Sequence, residues 1–156
     1  MYKATEIATW LLATNYIDCN LNEEVDRITN LKLQKLLYYA QGTYMALYDD
    51  SLFEKTIEAW KHGPVVREVY AKYSVNGSSA IMFYPTKEDR KIISEIDKDK
   101  KAYKVLRFIY DEFGQYTAWA LRNMTHEERP WKETRLDHAI DNDLIKEYFK
   151  EEVLGN

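Results

Sequence analysis

The chain has 156 residues, with 22 basic and 26 acidic side chains and a formal net charge of −4, so its overall field should not attract phosphate backbones. Its only cysteine, Cys19, excludes a disulfide within the chain. No apolar run approaches the ~20 residues that cross a bilayer, and the N-terminus lacks a signal-peptide pattern. We therefore expect one cytoplasmic domain over residues 1–156, outside any membrane.

The first half of the chain is predicted to begin with two helices. Apolar residues recur at helical spacing over residues 4–18. A longer helix follows, with Thr29 as its N-cap and Ile28 placed to pack against Leu33. Its apolar face continues to Asp49-Asp50, where we expect it to end.

A short β element is predicted next. Residues 56–61 alternate weakly, as a strand does. Gly63 supplies backbone freedom, and Pro64 fits the first position of a following helix because that position needs no N–H. Asn76-Gly77 indicates a turn, and residues 80–84 suit a second short strand.

The second half is predicted to be helical again. The expected helix starts are Thr86, Thr117, and Asp141 or Asn142, and the charged run at 97–101 is either a solvated hinge or a helix start. Gly114 is expected to end a helix, and Thr125 with Glu128 forms a capping-box pattern. The predicted fold is therefore mainly α, a compact bundle of about six helices with at most a small β-hairpin or short strand element.

Most catalytic signatures are missing. The five glycines are scattered singly, so there is no phosphate-binding loop. Cys19, His62, His126 and His138 lack the paired spacing of a zinc site, and no sequence neighbour activates Cys19 as a nucleophile. We predict no cofactor, no metal and no catalytic residue, and hence a protein that is not an enzyme.

Nucleic-acid binding has one local argument in its favour. Lys32, Gln34 and Lys35 lie near the start of the second predicted helix, the end that contacts bases in helix-turn-helix proteins. The second half of that helix is too apolar for a DNA groove, and few basic residues are available to neutralise phosphates. DNA contact is therefore disfavoured.

Three segments together resemble a known family. They are TNLKLQKLLYYAQG at 29–42, EAWKHGPVVREVY at 58–70 and YDEFGQYTAWALRNMTHEERPW at 110–131. The chain resembles, over roughly residues 4–149, the Panacea domain of SocA-like antitoxins, which also includes phage-associated GepA-like proteins. The resemblance implies a mostly helical fold and an antitoxin that binds and neutralises a toxin protein, usually encoded in the adjacent gene.

The matching positions fall into three signatures. They are Lys32, Leu33, Gln34, Lys35, Leu36, Tyr39, Ala40, Gln41 and Gly42 in the first, Trp60, His62, Gly63, Pro64 and Val65 in the second, and Thr125, His126, Pro130 and Trp131 in the third. The resemblance leaves open whether each is structural or contacts the toxin. Apolar periodicity and the Gly-Pro placement favour a packing role for most of them.

Two groups within these signatures have a more specific interpretation. Trp60 and His62, with the adjoining Lys61 and Arg67, are expected to border a surface for a partner. Gln34 and Lys35 either face the same surface or form a buried polar anchor. We favour the anchor.

The leading functional hypothesis is an antitoxin that acts by direct protein–protein binding. The alternatives are a DNA-binding regulator of its own operon, another prophage-encoded regulatory protein, and a prophage enzyme whose site the sequence does not reveal. Self-association into a homo-oligomer is left open.

Overall fold

Helices dominate the computed structural model, which describes residues 1–155. The helices are α1 (Ala4–Leu21), α2 (Asn30–Tyr48), α3 (Arg67–Tyr73), α4 (Lys87–Lys98), α5 (Lys100–Phe113), α6 (Ala118–His126), α7 (Arg129–Lys132) and α8 (Asn142–Tyr148). A 3-10 turn, Ser74–Asn76, follows α3, and a π-helical turn, Phe149–Val153, extends α8. The strands β1 (Glu58–Trp60) and β2 (Gly63–Val65) form an antiparallel hairpin. The predicted mainly α fold with a small hairpin is confirmed, with eight α-helices in residues 1–155 where about six were expected.

The helix α2 lies at the centre of the molecule. Fourteen of its 19 residues are buried, and it contacts α1, α3, α5, α6, α8 and β2. A helix that is buried on nearly all sides has to satisfy its polar side chains inside the protein. The polar residues of α2 are therefore the ones that organise its neighbours.

Both ends of α2 follow the chemistry that its sequence predicts. The Thr29 hydroxyl accepts a hydrogen bond from the Lys32 N–H at 3.2 Å. Asp49 closes the helix in a left-handed conformation with φ 52°, and its N–H donates to the Met45 carbonyl. The Asp49 carboxylate also pairs with Lys146 and Lys150, which connects this end to α8 and its extension.

The charged run at 97–101 joins α4 to α5 and connects both to the N-terminus. The Asp99 carboxylate caps α5 by accepting from the Ala102 N–H, and it also accepts from the Tyr2 hydroxyl at 2.7 Å. The Asp97 carboxylate accepts from the buried Trp10 indole N–H at 2.7 Å. No helix within residues 1–155 combines the length and apolar character needed to span a bilayer.

Two predictions about the β segments are wrong. Pro64 does not begin a helix; it lies in β2 opposite Ala59, and α3 starts later, at Arg67. Proline is tolerated there because β2 is an edge strand, whose outward N–H has no ladder partner to lose. Residues 80–84 form no strand: Ala80 makes one isolated bridge to Thr29, and the rest is irregular.

The predicted capping box at Thr125 and Glu128 is also wrong. Thr125 lies inside α6, where its hydroxyl donates to the Arg122 carbonyl at 2.8 Å. The Glu128 side chain turns into the core instead of towards the backbone of Thr125. A partner that is remote in sequence therefore outcompetes the local bond that the pattern suggested.

The close contact between α2 and the chain after α8 gives a stability prediction. A Cβ at Gly42 would lie 2.5 Å from the Phe149 ring. We expect Gly42→Ala to lower the free energy of unfolding by up to about 2 kcal/mol, because an overpacking cost of about 1–3 kcal/mol is partly offset by a gain in helix propensity of about 1 kcal/mol. Urea denaturation measures the change.

The control is the double variant Gly42→Ala with Phe149→Leu. A smaller, more mobile side chain at 149 makes room for the new methyl group, so the two losses should be less than additive. Strictly additive losses would show that the two residues do not compete for the same space.

Candidate partner-binding site

Two side chains of α2 bond to the outer edge of β2. The Lys35 ammonium donates to the Pro64 carbonyl at 3.0 Å, and the Val66 N–H donates to the Gln34 Oε1 at 2.9 Å. These are the groups that a third strand would otherwise bond. We call this pair of bonds the Gln34–Lys35 clasp. It places both residues where the anchor interpretation expects them.

The opposite edge of the hairpin is closed by backbone. The Ala59 N–H donates to the His138 carbonyl at 2.9 Å, and the Ile140 N–H donates to the Ile57 carbonyl at 2.7 Å. The hairpin thus lies between the segment 137–140 and α2. Neither edge offers a free ladder to another chain.

Gly63 allows the lysine to pass beneath the hairpin. Its φ is +110°, and a Cβ there would lie 2.6 Å from Lys35 Cε and 2.9 Å from Thr125 Oγ1. A side chain at this position would therefore be strained in its backbone and would also collide with its neighbours. Residues from all three signatures, Lys35, Gly63 and Thr125, meet at this point.

Lys35 is a buried cation without a counterion. Its side chain is 0 % exposed, and no carboxylate forms an ion pair with it among residues 1–155. Desolvation, with a smaller contribution from the positive charge of Arg122, lowers the pKa of Lys35 to about 7. Near neutral pH a far larger fraction of Lys35 is therefore neutral than of an ordinary lysine.

The other side of the hairpin is held by the third signature. The Trp131 indole N–H donates to the Trp60 carbonyl at 2.7 Å, and the His126 ring stacks on Trp131 with centroids 3.9 Å apart. Burial, assisted by Arg122, lowers the pKa of His126. Pro130 is buried at the start of α7, the short helix that carries Trp131.

Glu128 connects α7 to α2 and was missed as a site residue by sequence reasoning. Its two carboxylate oxygens accept from the hydroxyls of Tyr38 and Tyr39 at 2.8 and 2.7 Å. Desolvation raises the pKa of Glu128, and the two phenol bonds oppose that rise. The pattern TxxE drew attention to this glutamate, but nothing local indicated its tyrosine partners.

The remaining first-signature residues hold α2 in place. Gln41 orders the chain that leads to the hairpin, since its amide bonds the N–H groups of Leu52 and Phe53 and the Phe53 carbonyl. Lys32 donates to the Gly114 carbonyl at 2.6 Å, and burial lowers its pKa. Leu33, Leu36, Tyr39, Ala40 and Gly42 are all buried.

A cavity of about 450 Å³ opens beside the hairpin turn, between α2, α3 and α6. We call it the hairpin groove. Its lining consists of Thr29, Asn30, Leu31, Gln34, Trp60, Lys61, His62, Val65, Tyr70, Gly77, Ser78, Ala118 and Trp119. Trp60, His62 and Val65 of the second signature therefore border a common concave surface, whereas Gly63 and Pro64 of that signature do not line it.

Three aromatic rings dominate the hairpin groove. The rings of Trp60 and Tyr70 meet edge to face, with centroids 4.9 Å apart. Trp119 remains 55 % exposed, although large aromatic residues usually bury more of their surface. Tyr70 is held by the Asn30 amide, which donates to its carbonyl at 3.0 Å. Tyr70 and Trp119 were not predicted as site residues, although they lie in the quoted segments 58–70 and 110–131, because only the packing of α3 and α6 places them beside Trp60.

Lys61 is the only Lys, Arg, Asp or Glu side chain among the residues that line the hairpin groove. No carboxylate lines it. Lys61 and Arg122 form no ion pair within residues 1–155, and the Arg122 guanidinium lies 4.3 Å from the centre of the Trp119 ring. Arg67, by contrast, is neutralised by Glu58 at 2.8 Å.

Other features of the chain give weaker evidence of a functional site. Carboxylates of Asp18, Glu24, Asp26 and Asp111 line a separate cavity of about 340 Å³ near α1 and α5. In residues 1–155, no three His, Cys, Asp or Glu side chains are grouped so that they could hold a metal ion.

Comparison with known proteins gives the family. The family model described as "Antitoxin SocA-like, Panacea domain" matches residues 33–132, which contain the clasp, the hairpin and α7. Antitoxin SocA of Caulobacter vibrioides (strain NA1000 / CB15N) is 33 % identical over 109 residues, which cover 67 % of this chain and 58 % of that protein. The chain belongs to the SocA-like Panacea family of antitoxins. It matches less than two thirds of the length of this relative, and no solved structure matches it.

The pKa of Lys35 gives a prediction on pH-dependent stability. Because this pKa falls from 10.5 to about 7 on folding, the unfolded chain binds more protons between these values, and stability rises with pH. The free energy of unfolding therefore falls as the pH is lowered from 10.5 to about 7, and outside this range it no longer depends on the protonation of Lys35. Relative to Lys35→Met, the free energy of unfolding of the native chain should increase by about 2 kcal/mol from pH 7 to pH 9.

Urea denaturation of both proteins at the two pH values measures this difference. Lys91→Met, at an exposed position of α4, is the matched control and should show no such change. An equal difference between native chain and Lys35→Met at both pH values would mean that Lys35 has an ordinary pKa in the folded state.

The Gln34 bond gives a prediction at a single amide. Gln34→Leu leaves the buried Val66 N–H without its acceptor, and we expect it to lower the free energy of unfolding by about 1–3 kcal/mol. Hydrogen exchange at the Val66 amide, followed by NMR, should accelerate more than at amides of α5. Gln115→Leu, at an exposed position, is the control. Unchanged exchange at Val66 would contradict the role of the clasp.

Proposed function

We propose that this chain is an antitoxin that neutralises a cognate toxin protein by binding it directly. Family membership supports the antitoxin class. The observation that carries direct binding is the hairpin groove, in which Trp60, Tyr70 and Trp119 surround an open apolar cavity. Partly exposed Trp and Tyr side chains in such settings are the residues that most often dominate protein–protein affinity.

The scaffold supports this function because it holds the groove rigidly. Hydrogen bonds fix the Trp60 and Tyr70 backbone, and the clasp fixes the strand beside them. A surface that is ordered before binding loses little conformational entropy when a partner docks. Neutralisation then requires only that the docked chain covers the active surface of the toxin.

The cognate toxin is proposed to be the product of the adjacent gene, and this gives a direct test. We expect expression of the neighbouring gene alone to stop growth, and co-expression with this chain to restore it. Both genes are placed under unrelated inducible promoters, so that regulation of the native operon plays no part. A tagged copy of this chain should co-purify with the neighbouring protein in a complex that survives size-exclusion chromatography.

Two results would contradict the proposal. If the neighbouring product is harmless by itself, it is not a toxin and the proposal fails. If growth is restored without any complex, at unchanged toxin levels on an immunoblot, this chain does not neutralise the toxin by direct binding.

A further inference from the structure

We infer that the hairpin groove receives a segment of the partner protein that carries a large apolar side chain next to a carboxylate. This inference rests on the proposed function, since it specifies the chemistry by which the toxin is recognised. It goes further by assigning the contact to one surface and to one kind of segment.

The apolar part of the inference follows from the shape and lining of the groove. The cavity of about 450 Å³ lies within the range of pockets that enclose a compact ligand. Trp60 and Tyr70 form one wall, and the exposed ring of Trp119 stands on the α6 side. Burying such rings against an aliphatic or aromatic side chain removes apolar area from water and gives a central anchor.

The acidic part follows from charge. The chain has an excess of acidic residues, yet no carboxylate lines this groove. Lys61 and Arg122 lie at its rim without an ion pair, whereas Arg67 nearby is already neutralised by Glu58. The Arg122 guanidinium donates two hydrogen bonds to neighbouring side chains, but neither it nor Lys61 is paired with a carboxylate within residues 1–155. An incoming carboxylate would therefore meet positive charges that are not neutralised, and no carboxylate along the lining would repel it.

The ends of two helices add to the same field. The first residues of α2 (Asn30 and Leu31) and of α6 (Ala118 and Trp119) line the groove. A helix N-terminus carries a partial positive charge from its aligned peptide dipoles. The two helix starts thus add positive potential on the sides of the groove that they line.

A strand-pairing partner fits this region poorly. The clasp occupies one edge of the hairpin, and the segment 137–140 occupies the other. The partner therefore has to be recognised through side chains in the groove rather than through a backbone ladder.

The test selects ligands without assuming which protein is the toxin. Short random peptides displayed on phage are selected on the full chain, and the enriched peptides are synthesised and titrated by intrinsic tryptophan fluorescence. We expect enriched peptides to combine a large apolar residue with a nearby Asp or Glu. Trp119→Ser should weaken their binding by about tenfold or more, and Arg122→Gln by about twofold to fivefold.

The matched control is Phe108→Ser, which removes an aromatic side chain of similar exposure, 43 %, on α5. It should leave peptide affinity unchanged, and circular dichroism should show that all three variants stay folded. Peptides that are basic, that lack an apolar anchor, or that ignore Trp119→Ser would overturn the inference, as would the absence of any enrichment. A small molecule that co-purifies with the native chain in native mass spectrometry and is lost in Trp119→Ser would overturn it as well.

The same variants separate this inference from the proposed function. If the neighbouring gene product binds Trp119→Ser and Arg122→Gln as tightly as the native chain, the antitoxin function stands and the groove is not its contact. If peptides behave as expected but the neighbouring product is harmless, the groove stands and the toxin assignment fails.

Discussion

The hydrogen bonds from Lys35 and Gln34 to the edge of β2 are the interaction on which the rest of the structure depends. A hairpin with strands of three residues has too little buried surface to be stable alone. Here it is held because a central helix supplies, from two adjacent side chains, the donor and the acceptor that a neighbouring strand would have supplied. Gly63 leaves the space through which the lysine reaches its carbonyl.

In this arrangement the buried polar side chains and the exposed aromatic rings have different roles. Four buried polar side chains of α2 are hydrogen-bonded inside the protein, namely Asn30, Gln34, Lys35 and Gln41. Glu128 performs the equivalent role for α7 through Tyr38 and Tyr39. A polar group in the interior is strongly disfavoured in any packing that leaves it unpaired, so these bonds select one arrangement of the hairpin. Most residues of the three signatures are buried, whereas Tyr70 and Trp119, which line the groove, are not among the matching positions.

The sequence predictions were correct where interactions between residues close together in the chain decide the structure. Thr29, Asp49 and Thr86 end or begin helices as their side chains predict, because a cap involves residues only a few positions apart. Pro64 and Glu128 misled for the opposite reason, since the side chains that bond them belong to the distant helix α2. Trp119 was not identified in the groove because it is brought to Trp60 only by the packing of α6 against α2.

Closing both edges of the hairpin has a consequence for how this domain can diversify. Where a domain binds its partner by pairing of strands, any extended strand can form the backbone hydrogen bonds, and selectivity requires additional side-chain contacts. Here both edges of the hairpin are hydrogen-bonded within the molecule. The outward-facing side chains of the turn, α3 and α6 can therefore vary without breaking these bonds. Single substitutions of exposed side chains can thus change the shape and charge of this surface while the buried frame of the hairpin stays the same.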